Sequence, residues 1–422
     1  MSTIGASNDI SLAVVFPLPF QILALVGLEI LGWSTNLHGL DVAGIDVNSS
    51  LELRTGTATS LPAHLPASRQ SSSLVALYNS IYRIFVIYSS ICFAFWLAWR
   101  YTTKGEVGLV DVFGYIPAMA SLTIICILFY PHNTLHKTER RKFLYAVRRC
   151  LFSSWDSAVY FSDVILADII TSFAQVVGDV WLSLCMLIPG NSMLRPQSGV
   201  GMSEWILPTV MSLPYLVRLR QCVIEYSHEG NRRSLYNALK YASFPAIYLS
   251  ALQRLVSGDG GSHIKSSVKT EYWENFIFWL WLLAALVNSL YSFWWDVTND
   301  WDPSRSFAEV ANHKRYYHPF GLRHSLYFPL LVYPLLIFLN LILRLTWSMK
   351  LFRVVNVSSH ADITNFCLKV AELFRRWMWV FIRIEWEMIR KGREGHMKLR
   401  TDDEAMDEYE YEMVAPANPE RQ

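Results

Sequence analysis

The stretch FIFWLWLLAALVNSLYSFWWDVTND, residues 276–300, decides the fold class. From Phe276 to Trp295 it carries no charged side chain, about the 20 residues a helix needs to cross the hydrocarbon of a bilayer. It then turns acidic, with Asp296, Asp300 and, just beyond, Asp302. An aromatic helix that ends in carboxylates reads as a wall that turns inward to a polar path. The composition agrees. Of 422 residues, 52% are hydrophobic and only 17% charged, against about a quarter charged in an average soluble domain. Lipid leaves no water for backbone groups, so only helices or closed barrels span it, and apolar blocks of roughly 20 residues are too long for barrel strands. The expected fold class is an all-α polytopic membrane protein.

Nine apolar blocks follow by length: about 12–33, 80–99, 107–130, 157–189, 205–226, 235–255, 272–295, 325–349 and 364–389. The fourth is too long for a simple crossing and must tilt, kink or project. The segment 34–79 reads as a flexible loop. The six cysteines form no CxxC pair and read as small buried hydrophobes. The first block lacks a basic leader and reads as a span, not a cleavable signal. Segment 131–156 holds Lys137, Arg140, Arg141, Lys142, Arg148 and Arg149, which places it in the cytosol. Counting onward, the N-terminus lies outside or in a lumen and the C-terminus in the cytosol. Two sequons, at Asn48 and Asn356, fall on the cytosolic and luminal sides of that topology. The run TDDEAMDEYEYE, 401–412, is acidic and reads as a disordered tail.

The spans contain charge. An ionisable group inside a span costs about 2.5–3.5 kcal/mol on insertion scales, so it marks a pathway or a paired partner. The fourth block carries Asp163, Asp168 and Asp179, the last two eleven apart and so on one face of a continuous helix. The fifth ends with Arg218 and Arg220, the sixth carries Lys240, and the seventh delivers Asp296 and Asp300 at i,i+4. The eighth carries Arg344 with Trp347 close behind, and the ninth the doublet Arg375-Arg376. Basic groups from several helices at compatible depths ask for an anion. Arginine holds a tetrahedral oxyanion with a planar fork and lysine adds a point charge. Phosphate is the candidate, since an aspartate accepts a hydrogen bond from P–OH and sulfate has no proton to give. Each charge also has a structural reading, as an internal strut or as a side chain reaching the interface.

The motifs FSDVILADIITS (161–172), PYLVRLRQC (214–222), NALKY (237–241), YSFWWDVTNDW (291–301), LRLTW (343–347) and LFRRWMWVFIRIE (373–385) resemble, in order and spacing, the EXS domain of the SPX/EXS phosphate exporters. The resemblance covers roughly 157–391. It departs from the family pattern at Val380 and Trp386, where asparagine is common, and at Glu225 in an otherwise basic stretch. It implies export of inorganic phosphate through a pathway inside a six-helix EXS bundle. The implied phosphate-binding residues are Asp168, Lys240, Tyr241, Asp296, Arg344, Arg375 and Arg376, with Trp347 as gate and Arg218 and Asp300 as supports. The implied division is an N-terminal membrane region, 1–156, with about three spans and a basic cytosolic segment; an EXS transmembrane domain, 157–391; and an acidic disordered cytosolic tail, 392–422. With only 11 residues before the first block, no SPX sensor is expected, and the chain resembles the short fungal members associated with retention of ER-luminal proteins.

The function that this resemblance implies is movement of phosphate from Golgi lumen to cytosol, supporting glycosylation and retention of resident proteins. The alternative is a sorting or scaffold protein that holds glycosyltransferases in the Golgi without transport. An enzyme is not expected: no GxGD follows a span, no HExxH occurs, and the 11 histidines are scattered. No cofactor or metal is expected. Candidate partners are inorganic phosphate, the bilayer, Golgi glycosyltransferases or sorting machinery, and a second copy in a homodimer; nucleic acid is not one.

Overall fold

The computed structural model describes residues 12–45, 47, 51, 67–132, 136–157, 159–188, 191–194, 203–242, 247–249, 252, 268–301, 326–348 and 361–414. Asn48, Asn356, Asp302 and the segment 257–261 lie outside these. The described residues form helices and no strand. Eleven helices organise them: α1 (Leu18–Val42), α2 (Ala67–Thr103), α3 (Tyr115–Phe129), α4 (Lys137–Phe152), α5 (Phe161–Ser172), α6 (Ala174–Met186), α7 (Ser203–Glu229), α8 (Arg232–Tyr241), α9 (Val268–Trp295), α10 (Val332–Leu345) and α11 (Ala361–Val414). Single-turn helices lie at Leu12–Val15 and Val107–Val110.

Among the described residues three helical stretches are long and apolar enough to cross a membrane: Leu18–Val42, Leu74–Thr103 and Asn275–Trp301. The pair α5–α6 would make a fourth. The apolar α3 and the Val332–Ser348 stretch are shorter. Helix α1 is the hub and packs against α2, α3, α6 and α11. Gly27 and Gly39 let it approach its neighbours, since a Cβ on Gly39 would stand 2.8 Å from Phe381 Cε1. The window of α2 is 6% buried and that of Asn275–Trp301 11%, against 39% for α1. These two helices therefore present apolar side chains outward, as lipid requires.

The long fourth block resolves into α5 and α6, bent by 57° at Phe173. No proline sits there. The Thr171 hydroxyl donates to the Asp168 carbonyl at 2.7 Å in the turn before the break. The bend overturns the shared face expected for Asp168 and Asp179. Asp179 turns to Lys369 of α11, while Asp168 meets Arg218 and Tyr241.

Other expectations change as well. Part of the 34–79 loop is helical, because α1 runs on to Val42 and α2 starts at Ala67. The tail expected to be disordered from 392 is helical as far as Val414, a continuation of α11 rich in strong helix formers and led by Arg383–Glu387 and Arg390–Glu387 pairs. Of the 235–255 block, helix is described over 235–241, 247–249 and 252. Cys150 and Cys222 are buried as expected, whereas Cys126 and Cys367 are exposed.

Candidate functional site

Asp296 begins a π-helical turn, Asp296–Trp301, that ends α9. Such turns widen a helix and recur at functional sites. Its carboxylate is fully buried and collects three cations. Lys240 of α8 places Nζ 2.9 Å from Oδ1, Arg344 of α10 donates to Oδ2 from Nε at 3.1 Å and from Nη2, and Arg375 of α11 brings Nη1 to 3.6 Å. Asn340 donates Nδ2 to the same oxygen at 3.3 Å. Lys240 also reaches Asp300 Oδ2 at 3.2 Å, so the two acids do share a face. A buried carboxylate is tolerable only with such partners.

A second buried acid stands across from it. Asp168 of α5 accepts from the Tyr241 hydroxyl and lies 3.4 Å from Arg218 Nε. Arg218 is 3% exposed, so it does not reach the interface. Its neighbour Arg220 donates to the carbonyls of Leu151 and Ser153.

The partners of these two carboxylates line a cavity of about 200 Å³, walled by residues from α5 to α11. That is well above the ~30 Å³ that one liquid water occupies. Lys240, Arg344, Arg375 and Arg376 face it, with Tyr241 and Trp347. Six of the ten residues singled out in the sequence thus meet at one wall. Asp168, Asp296, Asp300 and Arg218 do not line it. They stand behind the lining and hold its cations and tyrosine in place.

The acid that does line the cavity is Glu372, which the sequence reading missed. It accepts from Arg375 Nε at 2.9 Å and from Ser172 Oγ at 3.0 Å. Its place three residues before Arg375 on a helix was the available signal. Arg376 differs from the other cations. Nε donates to Ser172 Oγ at 2.9 Å and Nη2 to Thr171 Oγ1 at 3.1 Å, and the guanidinium lies 4.7 Å from the Trp379 ring centroid. Among the described residues no carboxylate pairs with it, and its buried Nη1 has no hydrogen-bond partner. Glu29, Asp168 and Glu372 act on it at longer range, and a buried guanidinium hydrogen-bonded to hydroxyls with one free donor can still take an anion.

Trp347 sits on a 3-10 turn, Thr346–Ser348, just past α10. Its Nε1 donates to Ser289 Oγ at 2.9 Å, and its ring meets Trp281 edge-on at 5.9 Å. Lys369, also missed, lies on the lining and pairs with Asp179.

A model of the EXS family matches residues 16–389, nearly the whole chain. The chain belongs to the EXS family. This EXS protein is similar to Protein ERD1 homolog 1 of Schizosaccharomyces pombe, 29% identical over 400 residues, covering 92% of this chain and 95% of the relative. It is 30% identical to Protein ERD1 homolog 2 of the same organism over 295 residues, 67% of this chain and 70% of the relative. Phosphate transporter PHO1 of Arabidopsis thaliana is 26% identical over 287 residues, 64% of this EXS chain but 32% of the plant protein. The EXS match includes every residue that lines the cavity. The chain is therefore an EXS membrane protein, and its charged cavity lies within the EXS match.

Proposed function

We propose that this chain moves inorganic phosphate through the Golgi membrane, from lumen to cytosol, and so supports glycosylation and the retention of resident proteins. The observation that carries the reading is the cavity in which Lys240, Arg344, Arg375 and Arg376 converge with a single lining carboxylate, Glu372. Arg376 offers a buried donor, Nη1, that no hydrogen bond occupies, and Arg375 and Arg344 offer forks already oriented by Glu372 and Asp296. A tetrahedral oxyanion with P–OH groups suits such a site: the arginines take its oxygens, and Glu372 accepts its proton. The carboxylates behind the cations temper their field, so that the anion binds without being trapped, as conduction requires. The relative named a phosphate transporter supports the choice of ion. The near full-length likeness to a short fungal relative supports the Golgi setting, through the resemblance drawn from the motifs.

The same reading takes 157–391 as the transport unit, a six-helix bundle in a nine-span chain, with 1–156 as membrane support and the C-terminus in the cytosol. The scaffold reading has one observation in its favour. Asp296 ties Lys240, Arg344 and Arg375 together as a strut would. On that reading the partners are glycosyltransferases, sorting machinery or a second copy of the chain.

Purified protein in liposomes, loaded with labelled phosphate or sulfate, separates the two. Phosphate efflux that exceeds sulfate efflux and falls in Arg376→Gln supports transport. A well-folded parent protein that passes neither ion leaves the scaffold.

A further inference from the structure

A larger cavity, about 410 Å³, lies away from the first, where the end of α4 meets the start of α5. Its walls include Arg148, Arg149, Ser153, Ser154, Tyr145 and Tyr160, with Gln221 of α7 at the back. The volume falls in the range of small-ligand sites.

Its depth is fixed by α4. This helix is amphipathic and basic, and Arg140 pins it to the end of the apolar α3 by donating to the carbonyls of Ile127 and Leu128. An amphipathic basic helix fastened to the end of an apolar one lies in the plane of the headgroups. Aromatic residues flank the cavity there. Phe152 is 77% exposed and Trp155 58%, and Tyr145 and Tyr160 are exposed too. Tryptophan and tyrosine gather at that level of a bilayer.

The charges inside select an anion. Arg149 is committed: Nε and Nη2 each donate to Asp163 at 2.6 Å, and its guanidinium sits 4.6 Å from the Tyr160 ring centroid. Arg148 is exposed and makes no ion pair among the described residues. Of the three charged groups on the wall, two are cations and one is an acid, which leaves the pocket net positive through Arg148. Serine and tyrosine hydroxyls supply the remaining donors.

We propose that this pocket takes the phosphorylated headgroup of an anionic membrane lipid, an inositol-sized phosphomonoester, with Arg148 as its cation and the acyl chains beside Phe152 and Trp155. The same phosphate chemistry is present in a free inositol phosphate, but a soluble anion would make no use of the exposed aromatic rim. The pocket is also wired to the first cavity. Gln221 donates to the Asp163 carbonyl at 3.4 Å and accepts from Arg218 Nη1 at 3.2 Å, and Arg218 pairs with Asp168. A headgroup that holds Arg149 and Asp163 in place therefore steadies the support of Tyr241. This second step, regulation of phosphate passage, rests on the transport reading; lipid binding does not.

The test uses the full chain in nanodiscs of phosphatidylcholine, with or without phosphatidylinositol monophosphate. Native mass spectrometry reads retained lipid, and thermal unfolding reads its effect. The parent should retain the phosphoinositide and melt higher with it. Arg148→Ala should lower retention about tenfold, the loss of one charge-assisted contact. Ser153→Trp, which fills the pocket, should do the same, and soluble inositol bisphosphate should bind far more weakly than the lipid. Retention unchanged in both variants overturns the site. Equal binding of soluble headgroup and lipid overturns the lipid as its occupant. Retained lipid that leaves phosphate flux in liposomes unaltered overturns only the link through Gln221.

Discussion

Lys240 Nζ lies 2.9 Å from Asp296 Oδ1, which joins the short amphipathic α8 to the π-turn that ends the aromatic span. The contact is buried on both sides. It converts two residues that are each expensive in a membrane interior into one support for a cavity wall.

Removing that support should cost more than removing its neighbour. Asp296→Ala leaves Lys240, Arg344 and Arg375 without their shared counterion, and breaking a buried pair from one side costs about 3–5 kcal/mol. Asp300→Ala leaves Lys240 still bound to Asp296 and should cost less. Thermal unfolding in detergent should rank the two variants in that order.

Arg376 should behave in the opposite way. It has no carboxylate partner among the described residues, so Arg376→Lys should fold nearly as well as the parent. A lysine keeps the charge but cannot present a fork to an oxyanion. Phosphate flux into liposomes should fall about tenfold, roughly 1.4 kcal/mol at the anion.

Glu372→Gln removes the one lining carboxylate and frees Arg375 from a two-point grip. The cavity gains positive potential. Phosphate should bind more tightly and leave more slowly. The preference over sulfate should shrink, since the acceptor for P–OH is gone. Equilibrium binding and competitive flux on the same preparation check both effects.

Trp347→Ala tests the gate. The indole closes one side of the cavity through Ser289 and Trp281. Its loss should raise passive anion leak while reducing stability by less than the ~3–5 kcal/mol that a fully buried tryptophan would cost, since Trp347 is half-buried. A flux assay with phosphate and chloride in parallel should show both rising, with phosphate losing its advantage.

Gly178 addresses packing alone. A Cβ there would stand 2.8 Å from Met211 Cγ and 3.2 Å from Leu207 Cδ1, at the contact of α6 with α7. The methionine is flexible, so Gly178→Ala should be mild. Gly178→Val should force the helices apart at about 1–3 kcal/mol. Unfolding midpoints of the two variants measure the difference.

The sequence by itself determined the material of this protein. Long uncharged blocks such as 276–295 can satisfy their backbones only as helices in lipid, and charges stranded within such blocks must find one another or an ion. That reasoning reached Lys240, Arg344, Arg375 and Arg376 without a structure, and the motifs reached the EXS family. Only the tertiary structure decided which groups face the cavity. An ideal helical period put Asp168 and Asp179 on one side, but the 57° bend at Phe173 sent them to different partners. The family resemblance made Asp296 a lining residue, but three cations converge on it behind the wall, while Glu372 is the acid on the lining. Facing depends on how a helix is broken and rotated against its neighbours. That is a property of the packed assembly, and no single segment carries it.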